Sequence, residues 1–349
     1  MNILFLEGDM SRSGGTERMT AWLSSNLAQT HKVSIISLHF QHGQLFFPLD
    51  ENVYHSILKA SQTPARIQEI HKFIRKETID VVINVDTGMG YIGILAATGT
   101  GAKVITWEHS NYYNNWNSRL FPHLRKFAAR KSSAIVVLTE RDKYNYETNI
   151  KRCVPVTVIA NPVKKQENEY NEASKTILSA GALGKIKRFD LIVSIGKIIF
   201  EKHPDWQWVI CGDGPEREDL LRKTAEAKMQ KNICFCGSVS DMDSKYRQAA
   251  MYVLTSEMEG LPMVLLEAKS HGLPIISFDI ETGPSEVIRD GVNGYLIESG
   301  DVHKMADRIC RLIEDESLRT EFAKNAVLDM EKFDEEMIVN KWEQLLKEI

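Results

Sequence analysis

Short β-branched runs alternate with longer amphipathic stretches along the whole of this 349-residue chain. Such alternation leaves few architectures open, because parallel strands need long, usually helical crossovers, and those helices must then cover the sheet faces. In the front half the strand candidates are 3–7, 33–39, 79–85, 103–107, 134–138 and 156–160. In the back half they are 176–180, 206–211, 233–236, 251–255, 274–278 and 295–297. Helical patterns lie between most of them, at 16–30, 65–77, 189–200, 215–229 and 264–271. The expectation is an α/β protein of two Rossmann-like domains, each a doubly wound parallel sheet, facing a central cleft. Asn161-Pro162 closes one strand, and the polar run 164–169 has the composition of a linker. The expected domains are therefore 1–163 and 164–330. The last stretch has no strand after it and carries Met337, Ile338, Trp342, Leu345 and Leu346, an apolar stripe that must pack on something. In open parallel sheets, ligands bind outside the carboxyl ends of the strands, so function should lie in the loops that follow strands.

Composition narrows the class. No run approaches the ~20 apolar residues that span a bilayer. The chain opens on Met1-Asn2 and runs straight into Ile3-Leu4-Phe5-Leu6, without the basic and apolar regions of a signal peptide. Cys153, Cys211, Cys234, Cys236 and Cys310 fit no common zinc or redox spacing and read as buried free thiols. A cytoplasmic protein is expected. The net charge of −4 hides a split: residues 1–165 hold 20 Lys+Arg against 13 Asp+Glu, the remainder 23 against 34. A basic front half suggests a partner for that half. Trp116, Leu120, Leu124 and Phe127 fall at helical spacing among Arg119, Arg125, Lys126, Arg130 and Lys131, interrupted by Pro122. This segment reads either as a core helix with a solvated rim or as a surface for an anionic membrane. No nucleic-acid partner is expected.

Four strand-following motifs hold the unusual residues. Gly14-Gly15-Thr16-Glu17 precedes a helix, where it is either an anion-approach loop or a flexible turn. Trp107-Glu108-His109-Ser110-Asn111 places a histidine at a strand end, as a cleft residue or as a satisfied structural one. Cys211-Gly212-Asp213-Gly214-Pro215 is a tight turn that either meets a ligand or serves the fold. It lacks the full dinucleotide fingerprint, which argues against nicotinamide chemistry. The fourth motif is the most specific. Glu259-Gly260-Leu261-Pro262-Met263-Val264-Leu265-Leu266-Glu267 sets two carboxylates around a helix start. Free N–H groups there can bind phosphates, and a carboxylate can hold vicinal hydroxyls. Glu267 lies among apolar neighbours and needs a partner. Asp241-Met242-Asp243 matches a metal-binding pattern, but Ser240 with an acid three residues on reads better as a helix cap.

Together, Gly14–Glu17, Ala160-Asn161-Pro162, Lys187-Arg188-Phe189-Asp190, Gly212–Pro215 and the Glu259–Glu267 segment resemble the retaining family-4 glycosyltransferases of the GT-B fold, in the family's order. Trp107–Asn111 and Gly283–Glu286 look like the bacterial branch that builds surface polysaccharides and lipid-linked oligosaccharides. The resemblance implies a hexosyltransferase that takes a hexose or N-acetylhexosamine from a UDP-sugar to a lipid-linked saccharide. It implies no cofactor and no metal. Glu267 would bind the ribose, and Glu259 the transferred sugar. Gly260, Leu261, Pro262, Met263 and Val264 would meet the donor phosphates and sugar. Lys187 would neutralise the diphosphate, with Arg188 nearby, and Gly212, Gly237, Ser238 and Val239 would line the nucleotide. His109 would sit beside the sugar, Gly15 would approach the diphosphate, and 331–349 would cross back to the first domain. One departure stands out: the family's usual Gly-Arg-Leu is Gly181-Ala182-Leu183 here, so a second diphosphate cation is missing unless Lys185 or Arg188 replaces it. The alternatives from other classes are a sugar-nucleotide epimerase of the same architecture and a non-catalytic partner subunit, the latter supported only by Ala182.

Overall fold

A strand buried on both faces must be largely apolar, and the central strands here are. Asn2–Glu7 reads NILFLE and Val81–Val85 reads VVINV, each buried almost along its length. The computed structural model describes residues 1–166 and 170–349; 167–169, part of the expected linker, lie outside the described residues. The first sheet contains β1 (Asn2–Glu7), β2 (Lys32–Ser37), β3 (Val53–Ile57), β4 (Val81–Val85), β5 (Lys103–Trp107), β6 (Ala134–Val137) and β7 (Val156–Val158). The second contains β8 (Thr176–Ala180), β9 (Gln207–Cys211), β10 (Ile233–Gly237), β11 (Met251–Leu254), β12 (Ile275–Asp279) and β13 (Gly294–Glu298). All the strand pairings are parallel. Their orders are β3-β2-β1-β4-β5-β6-β7 and β10-β9-β8-β11-β12-β13. Each order reverses direction once, between β1 and β4 in the first sheet and between β8 and β11 in the second. Those two reversals open the crevices where such sheets take ligands.

The helices are α1 (Gly15–Leu27), α2 (Thr63–Lys76), α3 (Thr87–Ala97), α4 (Phe121–Lys131), α5 (Glu140–Asn149), α6 (Asp190–Lys202) and α7 (Arg217–Glu226). They continue as α8 (Met242–Gln248), α9 (Met263–Ser270), α10 (Pro284–Val287), α11 (Val302–Glu314), α12 (Glu316–Ala326) and α13 (Glu335–Glu348). Several start where a short polar side chain takes a first-turn N–H: Thr139 for α5, Asp301 for α11, Asp315 for α12. The chain forms two compact units, Met1–Asn161 with Glu336–Ile349, and Pro162–Glu335. The core of the second gathers Trp208, Ile210, Ile276, Phe278, Ile309 and Phe322. In the first, Leu4, Leu6, Val82, Ile92 and Ile74 pack together.

Two sequence expectations fail locally. The strand β3 gave no strong signal because it is an edge strand that is only partly covered, with Tyr54 and Ile57 exposed on opposite faces. The helix expected through Trp116, Leu120, Leu124 and Phe127 begins only at Phe121, with Pro122 in its first turn. Trp116 and Leu120 stand exposed in the preceding loop. On α13 the stripe turns inward at Ile338, Trp342, Leu345 and Leu346, while Met337 stays exposed. Trp342 meets Trp107 edge-on, with ring centroids 5.0 Å apart.

Candidate functional site

In the second unit the loops after β8 and β11 flank the sheet's reversal, and they carry Lys187 and Glu259. Lys187 Nζ lies 2.6 Å from Glu259 Oε1, with side chains 25% and 11% exposed. The loops are also joined through backbone. Thr255 Oγ1 donates to the Lys187 carbonyl at 2.8 Å, and the Glu257 N–H to the Ile186 carbonyl at 2.8 Å. Arg188 adopts a left-handed φ of 50°. Its guanidinium lies 3.1 Å from Asp190 and 3.7 Å from Glu257. The hydrogen bond to Asp190 holds it charged more firmly than usual. Lys185 and Ala182 are exposed.

Glycine lets three strand ends close on one another. Gly212 has φ +138°, and a Cβ there would lie 1.9 Å from the Gly181 carbonyl oxygen. Its N–H donates to the Gly237 carbonyl at 2.7 Å. Backbone contact therefore accounts for Gly212, the structural reading of that turn. The loop after β12 folds onto the Glu259 loop in the same manner. Gly283, at φ +101°, leaves no room for a Cβ against Pro262 Cδ at 2.6 Å and Gly260 O at 2.7 Å. Thr282 Oγ1 donates to the Glu259 carbonyl at 2.5 Å.

The helix α9 starts at Met263 after Pro262, with no side-chain cap, so N–H groups of its first turn are available for an outside acceptor. Leu261 and Pro262 are buried; Gly260, Met263 and Val264 are half-buried. The partner that Glu267 needs is Tyr246, whose hydroxyl donates to Glu267 Oε2 at 2.7 Å. Tyr246 is itself stacked on His271, with centroids 4.9 Å apart. Gly237 ends the edge strand β10, followed by exposed Ser238 and half-buried Val239. Asp241, rather than Ser240, caps α8 by accepting the Ser244 N–H at 3.0 Å. Cys234 and Cys236 share a face of β10 with sulfurs 3.8 Å apart. Cys234 is exposed, against the expectation of burial, because that strand is an edge. Among the described residues no three His, Cys, Asp or Glu side chains group as a metal site.

The first unit holds Gly15 and His109. Gly15 is exposed at the start of α1. Before it, a Cβ on Gly14 would collide with the Glu17 carboxylate at 2.2 Å. The His109 ring lies against Trp107 at 4.1 Å. Its Nε2 is out of solvent and without a hydrogen-bond partner among the described residues. Burial pushes its pKa down to about 3, so the imidazole is neutral near pH 7. The same unit also buries the acids Glu7, Asp86, Glu108 and Asp142, of which motif reading touched only Glu108 and gave it no role. Glu7 ends β1, Asp86 follows β4, Glu108 follows β5 and Asp142 lies in α5. Glu108 is buried and accepts from Thr87, from Tyr146 at 2.8 Å and from the Ser110 N–H at 3.1 Å. Burial raises Glu7 and Asp142 to about 7 each. Asp86 is raised well above the carboxylate range, first by burial and then by Glu108. The one sequence signal for Glu7 and Asp86 is an acid directly at the end of an apolar strand.

Two family models cover most of the chain: residues 161–328 match Glycosyl transferases group 1, and residues 13–167 match Glycosyltransferase Family 4. The chain is a glycosyltransferase of the GT-B fold. It is 27% identical to the amylovoran biosynthesis glycosyltransferase of Erwinia amylovora, across 99% of both chains. It is 26% identical to a Campylobacter jejuni α-1,4-N-acetyl-D-galactosaminyltransferase named for a diphospho-undecaprenol-linked saccharide, across 100% of this chain and 99% of that one. In fold it matches the Anabaena protein HepE, solved in complex with UDP, at a TM-score of 0.85 and 15% identity across 100% of both chains. Relatives that match end to end are named as transferases, which leaves the epimerase reading unsupported. No helix among the described residues is long and apolar enough to cross a membrane.

Proposed function

We propose that this glycosyltransferase moves a hexose or N-acetylhexosamine, with retention, from a UDP-sugar to a lipid-linked saccharide during assembly of a bacterial surface polysaccharide. The observation that carries the donor side is the Lys187–Glu259 pair at the reversal of the second sheet. Departure of UDP builds negative charge on its β-phosphate while the sugar gains oxocarbenium character. A fixed ammonium and helix N–H groups favour that state. Lys187 has three N–H donors, of which Glu259 takes one, so the ion pair can aim the rest at phosphate. The Glu259 carboxylate, held beside that ammonium, suits a sugar hydroxyl in this reading. Glu267, oriented by Tyr246, suits the ribose. With Arg188 tied to Asp190 and no arginine at Ala182, Lys187 carries most of the diphosphate charge in this reading. No step here calls for a metal.

The acceptor side rests on the likeness to the Campylobacter enzyme and on one surface. Residues 109–139 contain no acid and hold Arg119, Arg125, Lys126, Arg130 and Lys131. Tyr113, Trp116 and Leu120 are exposed at 49%, 56% and 60%. Buried Arg125 pins this loop through Asn115 at 2.9 Å and the Asn114 carbonyl. A rigid apolar tip within a basic belt suits an anionic membrane face, at the cytoplasmic side in this reading. The donor assignment is tested with purified Lys187→Ala and Glu267→Ala. Each is expected to lower turnover of the preferred UDP-sugar by about 100-fold or more, with the unfolding midpoint near wild type. Near-normal turnover in both would sink it.

A further inference from the structure

At the reversal of the second sheet, the ladder between β8 and β11 stops early. On its other side β8 pairs with β9 as far as Ala180, opposite Cys211, and β11 pairs with β12 as far as Leu254, opposite Ser277. Between themselves the two strands pair only at Ile177 with Met251 and Leu178 with Tyr252, among the described residues. The reversal of the first sheet differs, with β1 and β4 paired at four successive positions, Ile3 to Leu6. Beyond Leu178, side-chain hydroxyls take the place of the ladder. The Tyr252 hydroxyl accepts the Ala180 N–H at 2.9 Å and donates to the Ala180 carbonyl at 3.1 Å. Ser179 Oγ donates to the Val253 carbonyl at 2.6 Å and accepts from Trp208 Nε1 at 3.0 Å. Tyr252 and Ser179 are both buried.

In a continuous parallel ladder those backbone groups would bond the neighbouring backbone, with the strands about 4.8 Å apart. A phenol set between them satisfies the same groups while the strands part. A reversal does not by itself require such a wedge, since the first sheet has none at its own. The parting falls where the donor site begins: β8 runs on through Gly181 into the loop of Lys187, and β11 through Thr255 into the loop of Glu259. We infer that Tyr252 is a positioning residue of the donor site, its hydroxyl wedging the ends of β8 and β11 apart so that their spacing sets Lys187 against Glu259. The inference rests on the donor reading above. The Tyr252 ring also lies 6.0 Å from that of Tyr246, whose hydroxyl holds Glu267. Burial first, with Glu267 and Glu259 adding to it, raises the pKa of the Tyr252 hydroxyl well above its ordinary value, so it keeps the proton it donates to Ala180. Tyr252 touches no substrate in this account and acts through the backbone alone.

A double-mutant cycle on the full chain separates positioning from structural support. Tyr252→Phe removes the hydroxyl and keeps the ring. Its unfolding midpoint should fall by a few degrees, and turnover is read well below that midpoint. The expected result is a kcat for the preferred UDP-sugar lowered about tenfold or more, with KM for that donor within about threefold, because the charge of Lys187 counts most as UDP departs. In a Lys187→Ala background the same substitution should cost less than about twofold, since the cation it positions is gone. A purely structural tyrosine would give equal losses in the two backgrounds or no loss in either, and each of those results overturns the inference. Ser179→Ala, which frees the Val253 carbonyl across the same break, should behave alike and takes the place of Tyr252→Phe if that variant does not fold. Normal turnover by Lys187→Ala itself would strike the donor reading, and the inference with it.

Discussion

Glu7 and Asp142 hold their protons near neutrality because burial penalises their charge. In the unfolded chain each would titrate near 4. A folded pKa raised to about 7 gives stability that is complete below the unfolded value and is lost as pH climbs through the folded one. Each carboxyl accounts for on the order of 3 kcal/mol across that window. His109 acts in the opposite sense. It is neutral in the fold down to about 3, so it loses stability as pH falls below its ordinary value. Two carboxyls outweigh one imidazole, so the unfolding midpoint should rise as pH is lowered from about 7.5 to about 5. Glu7→Gln with Asp142→Asn should flatten that rise. Thermal unfolding across this range reads the result, and a midpoint that falls steadily on acidification would refute it. None of this was visible in the chain, since a glutamate ending a strand looks the same whether wet or buried.

Turns and loops carry the next set of constraints. At Gly212 a Cβ meets the Gly181 carbonyl, whereas at Gly184 nothing lies within 4 Å. Gly212→Ala should therefore cost about 2–4 kcal/mol, with Gly184→Ala close to neutral, measured by denaturant unfolding. Equal effects at the two positions would mean that the strand ends are not in backbone contact. The loop before α4 makes a different demand. Helical spacing placed Trp116 and Leu120 on a helix face, but Pro122 starts the helix later and leaves both exposed. Trp116→Ser with Leu120→Ser should release the protein from vesicles of anionic lipid while leaving its unfolding midpoint intact. Flotation that is unchanged for the double variant would remove the membrane surface from the proposal. The alternation of apolar and polar residues was enough to find most elements. It failed where an edge strand is only partly covered, as in β3, or where proline reset the start of a helix.

At the scale of the molecule, the chain's last helix belongs to the unit built from its first half. Ile338, Trp342, Leu345 and Leu346 are buried there. Burying four such side chains contributes about 6–12 kcal/mol, comparable to the whole stability of a domain. Trp342→Ala should cost about 3–5 kcal/mol and expose Trp107. A chain ending at Asp334 should leave the first unit protease-sensitive while the second stays folded. Limited proteolysis with mass mapping distinguishes the units, and equal resistance of both would contradict this account.

Periodicity alone settles the class of fold, because a run buried on both faces admits little besides a parallel strand under helices. It also marks strand ends, and His109 and the loop-to-helix segment with Glu259 and Glu267 were found after them. The pairings within the site have no local signature. Lys187 reaches Glu259 across 72 positions, and Tyr246 reaches Glu267 across 21. Asp86 gains its neighbours only when β1, β4 and β5 are laid side by side. Strand order decides those meetings, and strand order follows from how crossovers pack rather than from any one stretch of residues.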